Sequence, residues 1–248
     1  MDMLATQGER PVMQWMGDVL SAVFEADDAR ALLDKIQVAT RTLGFDYCAY
    51  GLKAPLPVTN PRVTLLSTYS RAWCEHYRRS DYLQSDPTVR HCQQSTTPVV
   101  WGDRIFHDAP QLWDDARQIG LRYGWAQSCL DGRNAGGMLT LARSAEAIGE
   151  RELRSSEMKM RWLANVAHQG FSRLLSPSWQ PNPSSPLTCR EIEVLRWAAD
   201  GKTLNEVADI LCLSVETVKF HTRNAAVKLG AANRTAAVAR AALLGLLG

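Results

Sequence analysis

The sequence lacks the features that mark several common protein classes. Its 28 Lys and Arg residues nearly balance its 26 Asp and Glu residues, so the net charge is only +2 and indicates no particular charged partner. No apolar run is long enough to span a bilayer, and the N-terminus has no signal-peptide pattern. We therefore expect a cytoplasmic protein with no membrane segment.

The six cysteines and five histidines are not spaced for metal or redox chemistry. No two cysteines form a C-x-x-C pair, and each lies in an apolar or helical pattern, which predicts reduced, buried thiols. The histidines show no metal-ligand spacing, and there is no nucleophile elbow. The sequence thus predicts no metal site, no cofactor, no catalytic residue and no enzyme.

A proline-rich stretch divides the chain. Between residues 176 and 186 four prolines stand among Ser and Asn, with no apolar period. Because proline fixes φ, this composition predicts a semi-extended linker. We expect an N-terminal domain at 1–175, the linker at 176–186 and a C-terminal domain at 187–248. From Ser185 onward there are eight Lys or Arg and six Asp or Glu residues. The net charge of +2 therefore comes entirely from this C-terminal part.

Three helix starts follow one another in the C-terminal domain. Thr188 with Glu191, and Thr203 with Glu206, have the spacing of a capping box. Ser214 is a third candidate N-cap. Each cap precedes an amphipathic segment, so this domain is predicted to be all-α.

The third of these helices has two different faces when it is laid out at about 100° per residue. The predicted core face contains Val218, Thr222, Ala225 and Leu229. The outward face contains Lys219, Phe220, Arg223 and Val227. This outward face suits a DNA major groove, since Lys and Arg donate to guanine or phosphate and Phe contacts a thymine methyl. The capping positions Thr203, Ser214 and Thr217 could hold phosphates. The alternative is a small helical bundle with a charged exterior.

These residues resemble the LuxR-type helix-turn-helix. The matching segments are Leu187-Thr188-x-Arg190-Glu191, Gly201-Lys202-Thr203, Glu206-Val207-Ala208, Thr217-Val218-Lys219-x-His221, Lys228-Leu229 and Asn233-Arg234-Thr235-Ala236. The resemblance implies a four-helix domain that reads DNA through Lys219, Phe220 and Arg223, and it adds Lys228 to the DNA-binding residues. It also implies that the last helix, from about Arg234, pairs two DNA-binding domains; packing on its own domain is the alternative.

The N-terminal domain alternates predicted helices and strands. Helices are expected at 15–25, 28–43, 110–119 and 150–175, with shorter ones capped by Ser70 and started by Asp86-Pro87. Strands are expected at 45–51, 64–69, 98–101, 126–130 and 137–142, the last two joined by a turn at 131–134. Strands flanked by helices predict an α+β fold: an α-β-α sandwich with one central sheet.

An acidic group among aromatic residues stands out in this domain. Tyr69, Trp73 and Tyr77 are spaced one helical turn apart, Asp86 precedes Pro87, and Trp101 ends a short strand. Aromatic walls with a few oriented polar groups could bind a small amphipathic ligand, and an ionised Asp86 would accept a ligand amide N–H. The residues alone favour the alternative, an ordinary aromatic core in which Asp86 only caps a helix.

The same residues resemble the acyl-homoserine-lactone-binding domain of LuxR-type quorum-sensing receptors. The match runs over about residues 30–175 and includes Tyr69-x-x-x-Trp73-x-x-x-Tyr77, Asp86-Pro87-Thr88, Trp101 and Gly137-x-Leu139-Thr140. The resemblance implies that Trp73 donates to the lactone carbonyl, that Asp86 accepts from the amide N–H, and that Tyr69 and Thr140 hold the amide carbonyl. It further implies that Tyr77 and Trp101 line the pocket, with Pro87 and Thr88 beside them, and that Gly137 makes room for the ligand.

The sequence therefore predicts a quorum-sensing transcription regulator. It would bind an N-acyl-homoserine lactone and, as a homodimer, a near-palindromic double-stranded DNA operator. Activation of transcription, in contact with RNA polymerase, is expected rather than repression. The alternative is a solo receptor of the same architecture that responds to an exogenous or non-lactone small molecule. A receiver-domain response regulator lacks support, because its acidic cluster and repeated β/α pattern are absent. Acyl-chain length and the 3-substituent stay open.

Overall fold

A computed structural model describes residues 9–131, 135–176 and 185–248. The chain forms two compact units, the first built from 1–53, 63–131 and 136–175, and the second containing 176–248. Most of the predicted linker and of the predicted turn at 131–134 lies outside the described residues. Within the described residues, no helix is both long and apolar enough to cross a membrane.

The first unit is an α+β sandwich, as predicted. Its helices are α1 (Glu9–Phe24), α2 (Ala29–Thr42), α3 (Arg71–Arg79), α4 (Tyr82–Ser85), α5 (Pro87–Gln94), α6 (Pro110–Gln118) and α7 (Glu150–Leu175). Its strands are β1 (Tyr47–Lys53), β2 (Val63–Ser67), β3 (Val99–Trp101), β4 (Tyr123–Leu130) and β5 (Gly136–Arg143). All pairings are antiparallel, in the order β2-β1-β5-β4-β3.

The two faces of the sheet carry different layers. Helices α2 and α7 pack on one face, and α5 packs on the other together with the aromatic residues of α3, α4 and α6. Because side chains alternate along a strand, Met138, Thr140 and Ala142 point to the aromatic layer, while Gly137 and Leu139 point to α7. The sheet thus separates the core beneath α2 and α7 from the aromatic layer on the other face.

Local sequence signals position the helices of the aromatic layer. Ser70 Oγ accepts from the backbone N–H of Trp73, so α3 begins where the cap predicts. Asp86 caps α5 and Pro87 occupies its first turn, where the missing N–H costs nothing. Helix α4 was not predicted, because its four residues are too few to show a helical period.

The second unit consists of α8 (Cys189–Ala199), α9 (Leu204–Leu211), α10 (Val215–Lys228) and α11 (Arg234–Leu243). Both predicted capping boxes are present, and Ser214 Oγ accepts from the N–H of Thr217 at 3.1 Å. Two small cores hold the helices together, one around Val194, Val207 and Val218 and one around Leu195, Ala225 and Leu229. Four packed helices agree with the predicted architecture.

Candidate functional site

The aromatic layer contains one oriented carboxylate, Asp86. Its Oδ2 accepts from the Tyr77 hydroxyl at 2.9 Å. Its Oδ1 accepts from the Thr88 N–H at 2.8 Å and from the Thr88 hydroxyl at 2.6 Å. Asp86 is half-buried and Thr88 is buried. Three donors from two directions fix the plane of this carboxylate.

Tyr77, which binds this carboxylate, packs in one aromatic cluster with Trp73 and Tyr69. The Trp73 ring is buried and meets the Tyr77 ring edge-on, with centroids 6.0 Å apart. Burial, followed by the negative charge of Asp86, raises the pKa of Tyr77 far above its ordinary value. Burial also raises the pKa of Tyr69, to which Asp86 contributes. Both hydroxyls therefore keep their protons and remain hydrogen-bond donors.

The remaining predicted ligand residues fall into two groups. Trp101 is buried in the same layer, edge-on to Phe106 and Trp113, and Thr140 faces that layer from the middle of β5. Thr88 and Pro87 lie in the first turn of α5, where the Thr88 hydroxyl is already committed to Asp86. The structure thus brings Tyr69, Trp73, Tyr77, Asp86, Trp101 and Thr140 to one side of the sheet.

Gly137 does not lie on that side, so the predicted role of making room for a ligand is wrong. A Cβ on Gly137 would approach His168 Nδ1 and the Tyr50 hydroxyl, each to 2.3 Å, and both belong to the α7 face. These two side chains are hydrogen-bonded at 2.7 Å and buried. Gly137 instead makes room for a buried Tyr–His pair behind the sheet.

A second polar cluster, which the sequence did not reveal, supports Trp73 from outside. Asp115 Oδ2 accepts from the Tyr82 hydroxyl at 2.5 Å and lies 2.7 Å from His76 Nε2. The hydrogen bonds of Tyr82, then His76, lower the pKa of Asp115, so the carboxylate is ionised at neutral pH. The rings of His76 and Tyr82 both pack against Trp73. This cluster joins α3 and α4 to α6.

The cysteines are only partly as predicted. Cys48, Cys92 and Cys129 are buried, and burial raises their thiol pKa values to about 11, about 12 and about 11. Such thiols stay protonated and inert. The prediction of burial is wrong for Cys189 and Cys212, which are exposed near helix ends. All six cysteines are free.

Helix α10 in the second unit has the two predicted faces. Val218, Ala225 and Leu229 are buried, and Thr222 is half-buried with its hydroxyl donating to the Val218 carbonyl. The outward side chains Lys219, Phe220, Arg223 and Val227 are all exposed, Phe220 to 60% and Val227 to 73%. Large exposed apolar side chains beside cations are typical of an interface rather than of a solvated face.

The capping hydroxyls of α9 and α10 keep donor capacity. Thr203 Oγ1 accepts from the Glu206 N–H, which leaves the hydroxyl proton of Thr203 available. Ser214 and Thr217 share one hydrogen bond at 2.8 Å, so one of their two protons is also available. Lys219 is paired with Glu216 at 2.6 Å, but both side chains are exposed and such a pair is weak.

Lys228 is placed differently from the other predicted DNA-binding residues. Its Nζ lies 2.8 Å from Glu191 Oε2 and 3.1 Å from the Pro186 carbonyl oxygen. Its side chain is only 21% exposed. The ammonium group is thus engaged inside the unit rather than on the outward face.

Each of the two units matches a known protein family. The model for the autoinducer binding domain matches residues 28–171, and the model for the bacterial regulatory proteins of the luxR family matches residues 185–241. The transcriptional activator protein SolR of Ralstonia nicotianae is 43% identical over 230 residues, which is 93% of this chain and 98% of SolR.

Solved structures of a relative are similar to this chain over nearly its whole length. A crystal structure of Escherichia coli SdiA has a TM-score of 0.82 and 31% identity, covering 96% of this chain and 99% of SdiA. SdiA in complex with octanoyl-rac-glycerol gives a TM-score of 0.82 at 30% identity, covering 99% of this chain and 98% of that one.

The chain belongs to the LuxR family of quorum-sensing transcription regulators. Its first unit is accordingly an autoinducer-binding sensor unit for a small molecule, and its second is a helix-turn-helix DNA-binding unit. Family membership also confirms the prediction that the protein is not an enzyme, because these relatives are transcriptional regulators.

Proposed function

We propose that the sensor unit binds an N-acyl-homoserine lactone and that Asp86 accepts the ligand amide N–H. An ionised carboxylate has about four lone-pair sites. Tyr77 and Thr88 occupy three of them, so one acceptor site remains on a carboxylate whose plane is already fixed. This oriented, incompletely used acceptor is the single observation that carries the proposal.

The surrounding groups suit the rest of such a ligand. We assign Trp73 as donor to the lactone carbonyl, and Tyr69 and Thr140 as donors to the amide carbonyl. Tyr77 and Trp101 form apolar walls, while Pro87 and Thr88 hold Asp86 in position. A lactone amide offers one N–H and two carbonyl oxygens, which matches one acceptor among several donors.

The regulatory mechanism follows from the two-unit architecture. Ligand binding stabilises the sensor unit by mass action. We propose that the protein then acts as a homodimer whose paired α10 helices read the half-sites of a near-palindromic operator. Thr203, Ser214 and Thr217 contact phosphates, and Lys219, Phe220 and Arg223 face the bases. Activation through RNA polymerase is the favoured direction, because SolR is named a transcriptional activator.

A non-lactone ligand is the second candidate, favoured by the complex of SdiA with octanoyl-rac-glycerol. An acyl glycerol has an ester in place of the amide and carries hydroxyl donors instead of an N–H. Those hydroxyls could also donate to Asp86. The two ligand classes therefore differ in their ring and amide rather than in their acyl chain.

Thermal unfolding with a ligand panel tests the proposal. The panel contains lactones of different chain length and 3-substituent, their ring-opened forms, and octanoyl-rac-glycerol. We expect one subset of closed lactones, at about 100 times Kd, to raise the unfolding temperature by about 5–10 °C. Ring-opened forms should give no shift, because their new carboxylate would be buried among aromatic rings.

The matched variant is Asp86→Asn, which should abolish the shift because its amide group can present N–H donors where an acceptor is needed. Asp34→Asn, at an exposed carboxylate on α2, should leave the shift unchanged. An unchanged shift in Asp86→Asn would overturn the pocket assignment. A shift with octanoyl-rac-glycerol alone would establish the second candidate instead.

A further inference from the structure

The last residue of the recognition helix α10, Lys228, is bound to the first turn of α8. Its Nζ donates to Glu191 Oε2 at 2.8 Å and to the Pro186 carbonyl at 3.1 Å. Pro186 precedes the N-cap of α8 by two residues. One ammonium group therefore joins the end of α10, the start of α8 and the chain segment that leads into the unit.

Glu191 is built into this arrangement rather than merely near it. Its side chain is 4% exposed, and Oε2 also accepts from the Thr188 N–H at 2.8 Å as part of the capping box. Burial alone would raise the pKa of Glu191, but the hydrogen bonds from Lys228 and Thr188 outweigh it and hold the pKa below its ordinary value. Removing one partner of such a pair leaves the other buried and unpaired.

The direction of Lys228 also separates it from the outward face of α10. At about 100° per residue, Lys228 lies about 180° from Lys219 and about 140° from Arg223. Its ammonium group is committed to two acceptors inside the unit, whereas Lys219 forms an exposed ion pair with Glu216 on its own helix. The resemblance that grouped Lys228 with DNA-binding residues does not distinguish these two situations.

We propose that Lys228 is a positioning residue that sets the orientation of α10 on α8, and that it makes no phosphate contact. With Glu191 it fixes the C-terminal end of the recognition helix, while the capping hydroxyl of Ser214 fixes its start. A helix held at both ends presents Lys219, Phe220 and Arg223 at a constant angle. This role concerns the DNA-binding unit and holds whichever ligand the sensor unit takes.

Binding measurements on the full-length protein test this role. The probe is a duplex selected by the wild-type protein from a random-sequence library, and Kd is measured over a range of salt concentrations. We expect Lys228→Met and Glu191→Gln each to weaken binding about tenfold, the size of one misaligned base contact, with an unchanged salt slope. The control Lys219→Met removes a proposed base contact, so it should weaken binding to the selected duplex about tenfold or more and change binding to a random-sequence duplex much less.

Two results would overturn the proposal. If Lys228→Met lowers the salt slope by about 1 while Glu191→Gln binds normally, Lys228 is a phosphate contact. If both variants bind within about twofold of wild type and only their unfolding temperature falls, the pair is purely structural. Glu191→Gln keeps an oxygen that accepts from the Thr188 N–H and removes the negative charge that holds Lys228, so it tests the proposal even if Lys228→Met does not fold.

Discussion

The two units place their functional side chains in opposite ways. In the sensor unit the proposed ligand contacts are part of the core, and Trp73 and Trp101 are each only 6% exposed. In the DNA-binding unit the proposed contacts stand outside a separate core, and Phe220 is 60% exposed while Val218 is fully buried. A buried site couples ligand binding to folding, whereas an exposed one allows binding and stability to change independently. Substitutions at the proposed contacts should therefore change both ligand binding and stability in the sensor unit. In the DNA-binding unit they should change DNA binding alone.

The largest expected effect is that of Gly137→Ala in the sensor core. The new methyl group would approach His168 Nδ1 and the Tyr50 hydroxyl oxygen to 2.3 Å, and both side chains are buried, with the Tyr50 ring stacked on Phe171. We expect the free energy of unfolding to fall by about 3 kcal/mol. Urea unfolding followed by tryptophan fluorescence measures it, because six of the eight tryptophans precede the linker.

The neighbouring Gly136→Ala is the control for this prediction. Its added Cβ would find its nearest neighbour, Leu130, at 3.9 Å, so stability should stay close to wild type. Equal stability of the two variants would show that Gly137 does not face the Tyr50–His168 pair.

A smaller effect, confined to DNA binding, is expected for Arg223→Ala. This exposed side chain lies outside the core, so we expect an unchanged unfolding temperature and a loss of about 1–3 kcal/mol in binding to the selected duplex. Electrophoretic mobility or fluorescence anisotropy measures the loss. Arg30→Ala, which removes an exposed arginine from the sensor unit, controls for net charge. Equal losses on selected and random DNA would make Arg223 a phosphate contact.

The smallest effect is a predicted gain in stability from Cys212→Gly. Cys212 ends α9 in the left-handed region, with φ 52°, a conformation that glycine adopts without steric cost. We expect a stabilisation of about 0.5–1 kcal/mol, measured by hydrogen exchange in α9 and α10. Cys189→Gly, at an exposed cysteine that begins α8 in helical conformation, should instead be slightly destabilising, by about 0.3 kcal/mol, the difference between the helix propensities of Cys and Gly. The same sign for both would refute the backbone explanation.

Local signals in the sequence predicted the elements well. Both capping boxes, the cap at Ser70 and the bounds of α7 at Glu150–Leu175 were predicted from neighbouring residues. The two faces of α10 followed from its helical period alone. These features depend on interactions within a few positions, which a single sequence displays.

Long-range contacts were not predictable in the same way. Glu191 and Lys228 are 37 positions apart, so nothing in either segment indicates their pairing. The side that Gly137 faces is predictable from the strand alone, because residues three apart on a regular strand face opposite sides, so Gly137 and Thr140 cannot both face the ligand. Likewise, the spacing of Tyr77 and Asp86 suggested a cluster, but their hydrogen bond appears only in the fold.

Hydrogen exchange on the full chain, with and without the lactone that stabilises it most, tests the contrast between the units most directly. If the ligand joins the sensor core, exchange should slow in α3, which carries Trp73, in α5, which Asp86 caps, and in β5, which carries Thr140. Exchange within α8 to α11 should stay the same. Slower exchange in α8 to α11 without any change in α3 and α5 would contradict the account, because the ligand would then act outside the aromatic layer.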